Sequence, residues 1–165
     1  MGSPSVTLKK SNFVFLIVFA LINVHCAPER RSYSSDEPSV LAISSNELDS
    51  MTAKINRSRK NLGLPALRSD PTLNAVSEAF AKDMKQRGYF GHQTPEGKTV
   101  NERLKEHGLN FTISGENIAQ GQPDAAEALN DWMQSTHHRA NILNPNFTRF
   151  GIGHSCAIWV QTFAD

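Results

Sequence analysis

Between Asp70 and Gly88 the sequence carries both ends of a helix and its buried stripe. Asp70 offers a side-chain oxygen to the free N–H groups of a first turn, and Pro71 sits where a missing N–H costs nothing. Leu73, Val76, Phe80 and Met84 recur at helical spacing, and Gly88 can take the left-handed conformation that ends a helix. A helix with one apolar stripe needs a second layer to cover it. The rest of the chain supplies candidates. Ser44-x-x-Glu47 is a capping box that opens a helix with Leu48, Met51 and Ile55 inward, stopping near Gly63. Thr99-x-x-Glu102 is a second capping box, for a short helix ending at Gly108. A fourth helix starts after Pro123 with Ala125, Ala128, Leu129 and Trp132 inward, and residues 137–145 form a turn or one helical turn closed before Pro145. Phe111-Thr112-Ile113 reads as a short strand running into Gly115-Glu116-Asn117. Phe150–Phe163 reads as two short strands around Ser155-Cys156, or one long bent strand. Helices interleaved with short strands predict one α+β layer fold over residues 44–165, with a small sheet.

The first 43 residues stand apart. Lys9 and Lys10 precede Phe13–Ile22, an apolar run of 10 residues, followed by small residues. A basic start, a short apolar run and a small-residue cleavage site predict a secretory signal peptide over residues 1–26. The run is too short for a membrane span, which needs about 20 apolar residues. Residues 27–43 are polar and proline-punctuated, and read as a disordered lead-in or propeptide. Loss of residues 1–26 would remove Cys26 and leave Cys156 as the only thiol, either a buried small hydrophobe or one available for intermolecular pairing, so the domain is expected to be stable on its core alone; a monomer is expected. The whole chain has 17 Lys+Arg against 16 Asp+Glu. That balance gives no electrostatic footprint for nucleic acid and no polybasic patch for anionic membranes. Asn56, Asn110 and Asn146 head three Asn-x-Ser/Thr sequons, candidate glycosylation sites of a secreted chain.

Three polar segments remain once the helices are set aside: Phe90-Gly91-His92, Gly115-Glu116-Asn117 and His137-His138-Arg139-Ala140-Asn141. Each is separated from the next by about one helix and a connection, so His92, Glu116 and His138 could converge from separate loops at one side of a sheet. Imidazole nitrogens suit zinc or copper, and a carboxylate can orient a histidine from behind. His-Glu-x-x-His, Gly-x-Ser-x-Gly and phosphate-cradling glycine loops are absent. Arg139 and Asn141 read as residues that cap and pin the turn after His138. Trp132 and Trp159 read as packing, and His137 and His154 as exposed.

Five blocks occur in order: Tyr89–Pro95, Gly115–Gly121, Trp132–Leu143, Phe150–Gly153 and Trp159–Phe163. Together with Asn56-x-x-Arg59 and Gly63-Leu64-Pro65-x-Leu67 they resemble the CAP superfamily, or SCP domain, over roughly residues 46–164. That superfamily takes in cysteine-rich secretory proteins, venom antigen five and pathogenesis-related protein 1. The form is similar to the compact, disulfide-free branch common in bacteria and fungi. The resemblance implies a three-layer α-β-α sandwich with a small central antiparallel sheet. It also implies a cleft where two histidines and two glutamates meet, the histidines able to hold a divalent metal, usually Zn2+. His92, Glu116 and His138 match three of the four positions; the second glutamate is replaced by Ser135. Only Gly121-Gln122-Pro123 separates the glycine-glutamate-asparagine block from the next helix, which leaves little apolar surface for a sterol.

The function that follows is a secreted binding protein acting outside the cell through this cleft, its ligand a lipid, glycan or protein, with no catalytic residue assigned. Glu116 would orient both histidines, with His92 and His138 holding any metal. A zinc-dependent hydrolase, with Glu116 as base, is the alternative. Two evident ligands fall short of the three that catalytic zinc sites usually have.

Overall fold

The structure, a computed structural model, describes residues 43–165. The signal peptide, Cys26 and the lead-in up to residue 42 lie outside the described residues. Helix α1, Ser45–Lys60, starts where its capping box predicts: the Ser44 side chain accepts from the Glu47 N–H, and the Glu47 carboxylate accepts from the Ser44 N–H. Strand β1 is a pair of residues, Arg68–Ser69. Helix α2 spans Pro71–Arg87, with Asp70 accepting from the N–H groups of Thr72 and Leu73, and Gly88 at φ 69° closing it. Helix α3, Val100–Glu106, is opened by the Thr99–Glu102 box. Strand β2 spans Ser114–Gln120. Helices α4, Ala125–Gln134, and α5, Thr136–Ile142, follow nearly without a break. Strands β3, Arg149–Ser155, and β4, Ile158–Ala164, form the terminal hairpin. Its two-residue connection needs a positive φ at the first position, and Cys156 supplies it at 54°. Of the two readings of the terminal segment, the two-strand one holds.

The four strands lie in the order β1-β3-β4-β2. β4 pairs antiparallel with both β3 and β2, as expected, but the β1–β3 pairing is parallel, so the sheet is mixed. Two residues held at the edge by Phe150 and Arg149 carry no sequence pattern of a strand, which is why β1 escapes a reading by periodicity.

Alternation along β4 divides the core. Ile158 and Val160 pack with Phe80, Ala81 and Met84 of α2 on one face. Trp159 and Phe163 pack with Met51, Ile55, Leu129, Trp132 and Ile142 of α1, α4 and α5 on the other. Helices therefore cover both faces, which makes the three layers. The predicted inward stripes of α1, α2 and α4 are all buried except Leu48, which packs partly buried against the core.

Two glycines set the distance between α2 and the sheet. A Cβ on Gly151 would lie 2.1 Å from the Leu73 carbonyl carbon, and one on Gly153 2.0 Å from the Glu78 nitrogen. The helix backbone thus lies directly on β3, and the Ser77 hydroxyl donates to the Thr162 hydroxyl of β4 at 2.8 Å. On the other side Arg59 is fully buried. Its guanidinium donates to the carbonyls of Pro65, Ile142, Asn144 and Phe147, tying α1 to the end of α5. Burial lowers its pKa from the usual arginine value.

Candidate functional site

Glu116 lies in strand β2, not in a loop. Glutamate and asparagine are poor strand formers, but propensity on a sheet is overridden by pairing and face. Here all seven residues of β2 pair with β4, Glu116 opposite Thr162 and Asn117 opposite Gln161. Successive side chains go to opposite faces. Glu116 and Ile118 are therefore turned to the α2–α3 side, and Asn117 and Ala119 to the α4–α5 side.

On the first side the Glu116 carboxylate, 3% exposed, has each oxygen engaged. His92 Nδ1 lies 2.9 Å from Oε1, and the Arg103 guanidinium of α3 donates to Oε2. A carboxylate oxygen only accepts, so Nδ1 of His92 carries the proton and Nε2 is its open nitrogen. The His92 side chain is 57% exposed, so that nitrogen is reachable. Arg103 is nearly buried and does more than neutralise Glu116. Its NH1 group donates to the carbonyls of His92, at 3.2 Å, and Lys98, at 3.1 Å, so it also holds the backbone that carries the histidine. Its guanidinium carbon stacks 3.4 Å over the Phe80 ring. Its buried Nε has no hydrogen-bond partner among the described residues.

On the second side an amide network holds α5 against β2. Asn117 Nδ2 donates to the His138 carbonyl and to Gln161 Oε1, each at 3.1 Å. Asn141 Nδ2 donates to Asn117 Oδ1 at 2.8 Å and to the Glu116 carbonyl at 3.1 Å. Gly115 makes room for this: a Cβ there would meet the Phe147 ring at 2.8 Å. His138 is half-buried on α5, and burial first, then the charges of His92 and His137, lower its pKa. A neutral imidazole is the form that ligates a metal.

The structure thus brings His92 and Glu116 into contact and places His138 on the helix that flanks the same strand. The expectation that Glu116 orients both histidines does not hold, because its second oxygen belongs to Arg103. Ser135 lies at the α4–α5 junction and makes no side-chain capping bond. Of the two residues expected to pin the turn, Asn141 does so. Arg139 is exposed, with no side-chain hydrogen bond or ion pair among the described residues. His137 is exposed as expected, whereas His154 is half-buried and stacks on Trp159 with ring centroids 4.0 Å apart. Among the sequons, Asn110 and Asn146 are exposed. Asn56 is half-buried and spends both ends of its amide on Leu67, donating to its carbonyl at 2.9 Å and accepting from its N–H at 2.8 Å.

Arg103 is the residue that sequence reasoning missed. Its only signal was a cation on the apolar side of a short helix, beside Leu104, and that position is indistinguishable from a solvated arginine until α3 is docked. His92 and His138 are the two imidazoles expected to hold any metal. His92 has the carboxylate behind it that ligating histidines commonly have. The described residues contain no group of three metal-binding side chains, the number that catalytic zinc sites usually have.

The family model described as CAP, the cysteine-rich secretory protein family, matches residues 52–163. The chain is 37% identical over 137 residues to the uncharacterized protein YkwD of Bacillus subtilis, covering 82% of this chain and 52% of that protein. It thus spans about half the length of that curated relative. Among solved structures, an extracellular protein containing an SCP domain from Bacillus anthracis matches with TM-score 0.67 and 34% identity, over 70% of this chain and 39% of that one. An outer surface protein of Borrelia burgdorferi matches in fold, with TM-score 0.68 and 22% identity over 75% of this chain and 96% of that one.

Proposed function

This chain belongs to the CAP, or cysteine-rich secretory protein, family, and from that premise we propose that it is an extracellular binding protein. Its ligand is taken in the cleft between the His92 loop and α5. The observation that carries this reading is the chain His92–Glu116–Arg103, which fixes an exposed imidazole with its Nε2 open while both oxygens of the Glu116 carboxylate are engaged inward. A binding function needs a pre-set donor, and here the donor is set by a buried ion pair rather than by a mobile loop.

His92 Nε2 and the His138 imidazole are the nitrogens that would hold a divalent metal, which would supply a positive charge to a ligand's oxygen. Hydrolysis is the weaker reading. A general base must be able to reach a water, and the Glu116 carboxylate is 3% exposed and already paired with His92 and Arg103. The extracellular setting is supported by the B. anthracis relative, described as extracellular, and by the predicted signal peptide. Among the described residues no helix is long and apolar enough to cross a membrane.

Calorimetric zinc titration of the full chain, beside the His92→Ala/His138→Ala double variant, tests the metal part. Binding in the wild type that the double variant loses is expected. Binding equal in both would place the metal elsewhere and remove the two histidines from the reading.

A further inference from the structure

β2 is an edge strand, and its outer edge lies beside the His92 loop and α5. In an antiparallel pair, hydrogen-bonded residue pairs alternate with pairs whose N–H and C=O groups turn away from the partner. The phase is fixed at both ends of β2. Gly121 donates to the Ala157 carbonyl at 2.8 Å, and Asp165 donates to the Ile113 carbonyl at 3.4 Å. In that phase Glu116, Ile118 and Gln120 turn their main-chain groups outward, away from β4. The bond from Asn141 Nδ2 to the Glu116 carbonyl confirms the direction. The outward groups of Ile118 and Gln120 meet no partner among the described residues. Ile118 is only 7% exposed. Unpaired main-chain donors and acceptors in so buried a residue are rare in folded proteins, and call for a partner.

A cavity of about 270 Å³ lies alongside, lined among others by Met84, Tyr89, Phe90, Gln120 and Ile158. Phe90 is 46% exposed, one of two large apolar side chains so placed among the described residues. Gln120 is on the face of β2 that also carries Ile118, so the cavity opens on the face to which a residue paired with Gln120 would send its side chain.

We propose that this edge receives an extended peptide as a fifth strand, one apolar side chain of which enters the Phe90 cavity. The inference rests on the reading of the cleft as a binding site and names its ligand class. A peptide main chain presents an acceptor and a donor to one edge at every second residue, about 7 Å apart, which is the repeat of the Ile118 and Gln120 groups. A lipid tail offers neither group, and a glycan offers hydroxyls without that repeat. In strand addition the main chain supplies affinity and pockets for alternate side chains supply specificity.

The test uses a displayed library of random linear 12-residue peptides, panned on the full-length protein. A selected peptide is then titrated against wild type, Gln120→Pro, Gln120→Ala, Phe90→Ala and the His92→Ala/His138→Ala variant. Proline removes the outward N–H of Gln120 and leaves the β2–β4 ladder intact, which an edge strand tolerates. Binding should fall tenfold or more in Gln120→Pro and Phe90→Ala, and clearly less in Gln120→Ala, which keeps the outward N–H and removes only cavity lining. In the wild type, peptide should slow hydrogen exchange at the Ile118 and Gln120 amides, a readout that does not depend on any variant folding. Failure to select any peptide, or binding without that protection, overturns the proposal. A peptide that binds Gln120→Pro normally but is lost in the histidine variant also overturns strand addition, while leaving the histidine cleft standing. A peptide that protects the edge and ignores the histidine variant sustains strand addition and removes the histidines from ligand binding.

Discussion

Arg103 and Glu116 form an ion pair whose side chains are 7% and 3% exposed, and it is the pair that places His92. Removing one partner of a buried pair leaves the other charged and unpaired, at a cost of about 3–5 kcal/mol. Arg103→Met should therefore destabilise the chain by about that amount, and the Arg103→Met/Glu116→Gln double variant should recover part of the loss. Urea unfolding of the single and double variants measures the coupling. A loss below about 1 kcal/mol for the single variant would mean that water reaches the pair and that it does not organise the site. The nitrogen NMR signature of His92 should show Nδ1 protonated in the neutral wild type, and a mixture of tautomers in Glu116→Ala.

Gly151 and Gly153 should not tolerate even alanine. Each added Cβ would overlap helix backbone of α2, at 2.1 and 2.0 Å, and backbone cannot rotate away. Overpacking typically costs about 1–3 kcal/mol, and more where no side chain can yield. Gly115→Ala meets instead the tip of the Phe147 ring, which can shift, so a smaller loss is expected there. Thermal unfolding of the three variants ranks them.

Arg59, itself fully buried, donates to four carbonyls. Arg59→Met keeps much of the volume but orphans those acceptors, at about 1–3 kcal/mol for each that water cannot reach. Arg59→Lys should rescue little, because an ammonium cannot span the planar fork of acceptors. Denaturant unfolding of both variants checks this, and near-native stability of Arg59→Lys would contradict it.

Burial holds the His154 pKa below its usual value of 6.5, with Glu47 opposing weakly. A depressed histidine pKa means that the unfolded chain binds the proton more readily than the folded one. Its contribution is therefore fully present above pH 6.5 and is lost as pH falls from there toward the folded pKa. His154→Phe, which keeps the stack on Trp159, should flatten that part of the stability curve between about pH 5 and 7. Unfolding midpoints measured at both ends of that range decide it.

Of the three sequons, Asn56 should stay unmodified in a glycosylating host, since its amide is committed to Leu67. Mass spectrometry of the secreted product should find sugar only at Asn110 and Asn146.

Helix boundaries were legible in the chain because they are local. A capping serine or threonine and its glutamate lie three residues apart, Asp70 and Pro71 are neighbours, and Gly88 is the residue that can end α2. The buried stripes followed from the same short-range periodicity. The resemblance of the five ordered blocks supplied the layer order and three cleft positions. What the sequence left open were relations between distant segments. Glu116 is a strand residue because β4, some 45 residues later, pairs with it. Arg103 is a site residue because α3 docks beside that strand, and His154 is half-buried because Trp159 lies across the hairpin from it. The parallel β1 edge exists only because Phe150 and Arg149 pass beside it. The local code fixed where helices α1 to α4 begin and end, but not the strands: β1 went unread, and β2 runs Ser114–Gln120 rather than from Phe111. Burial and pairing, which depend on what the fold brings next to each residue, decided which side chains make the site.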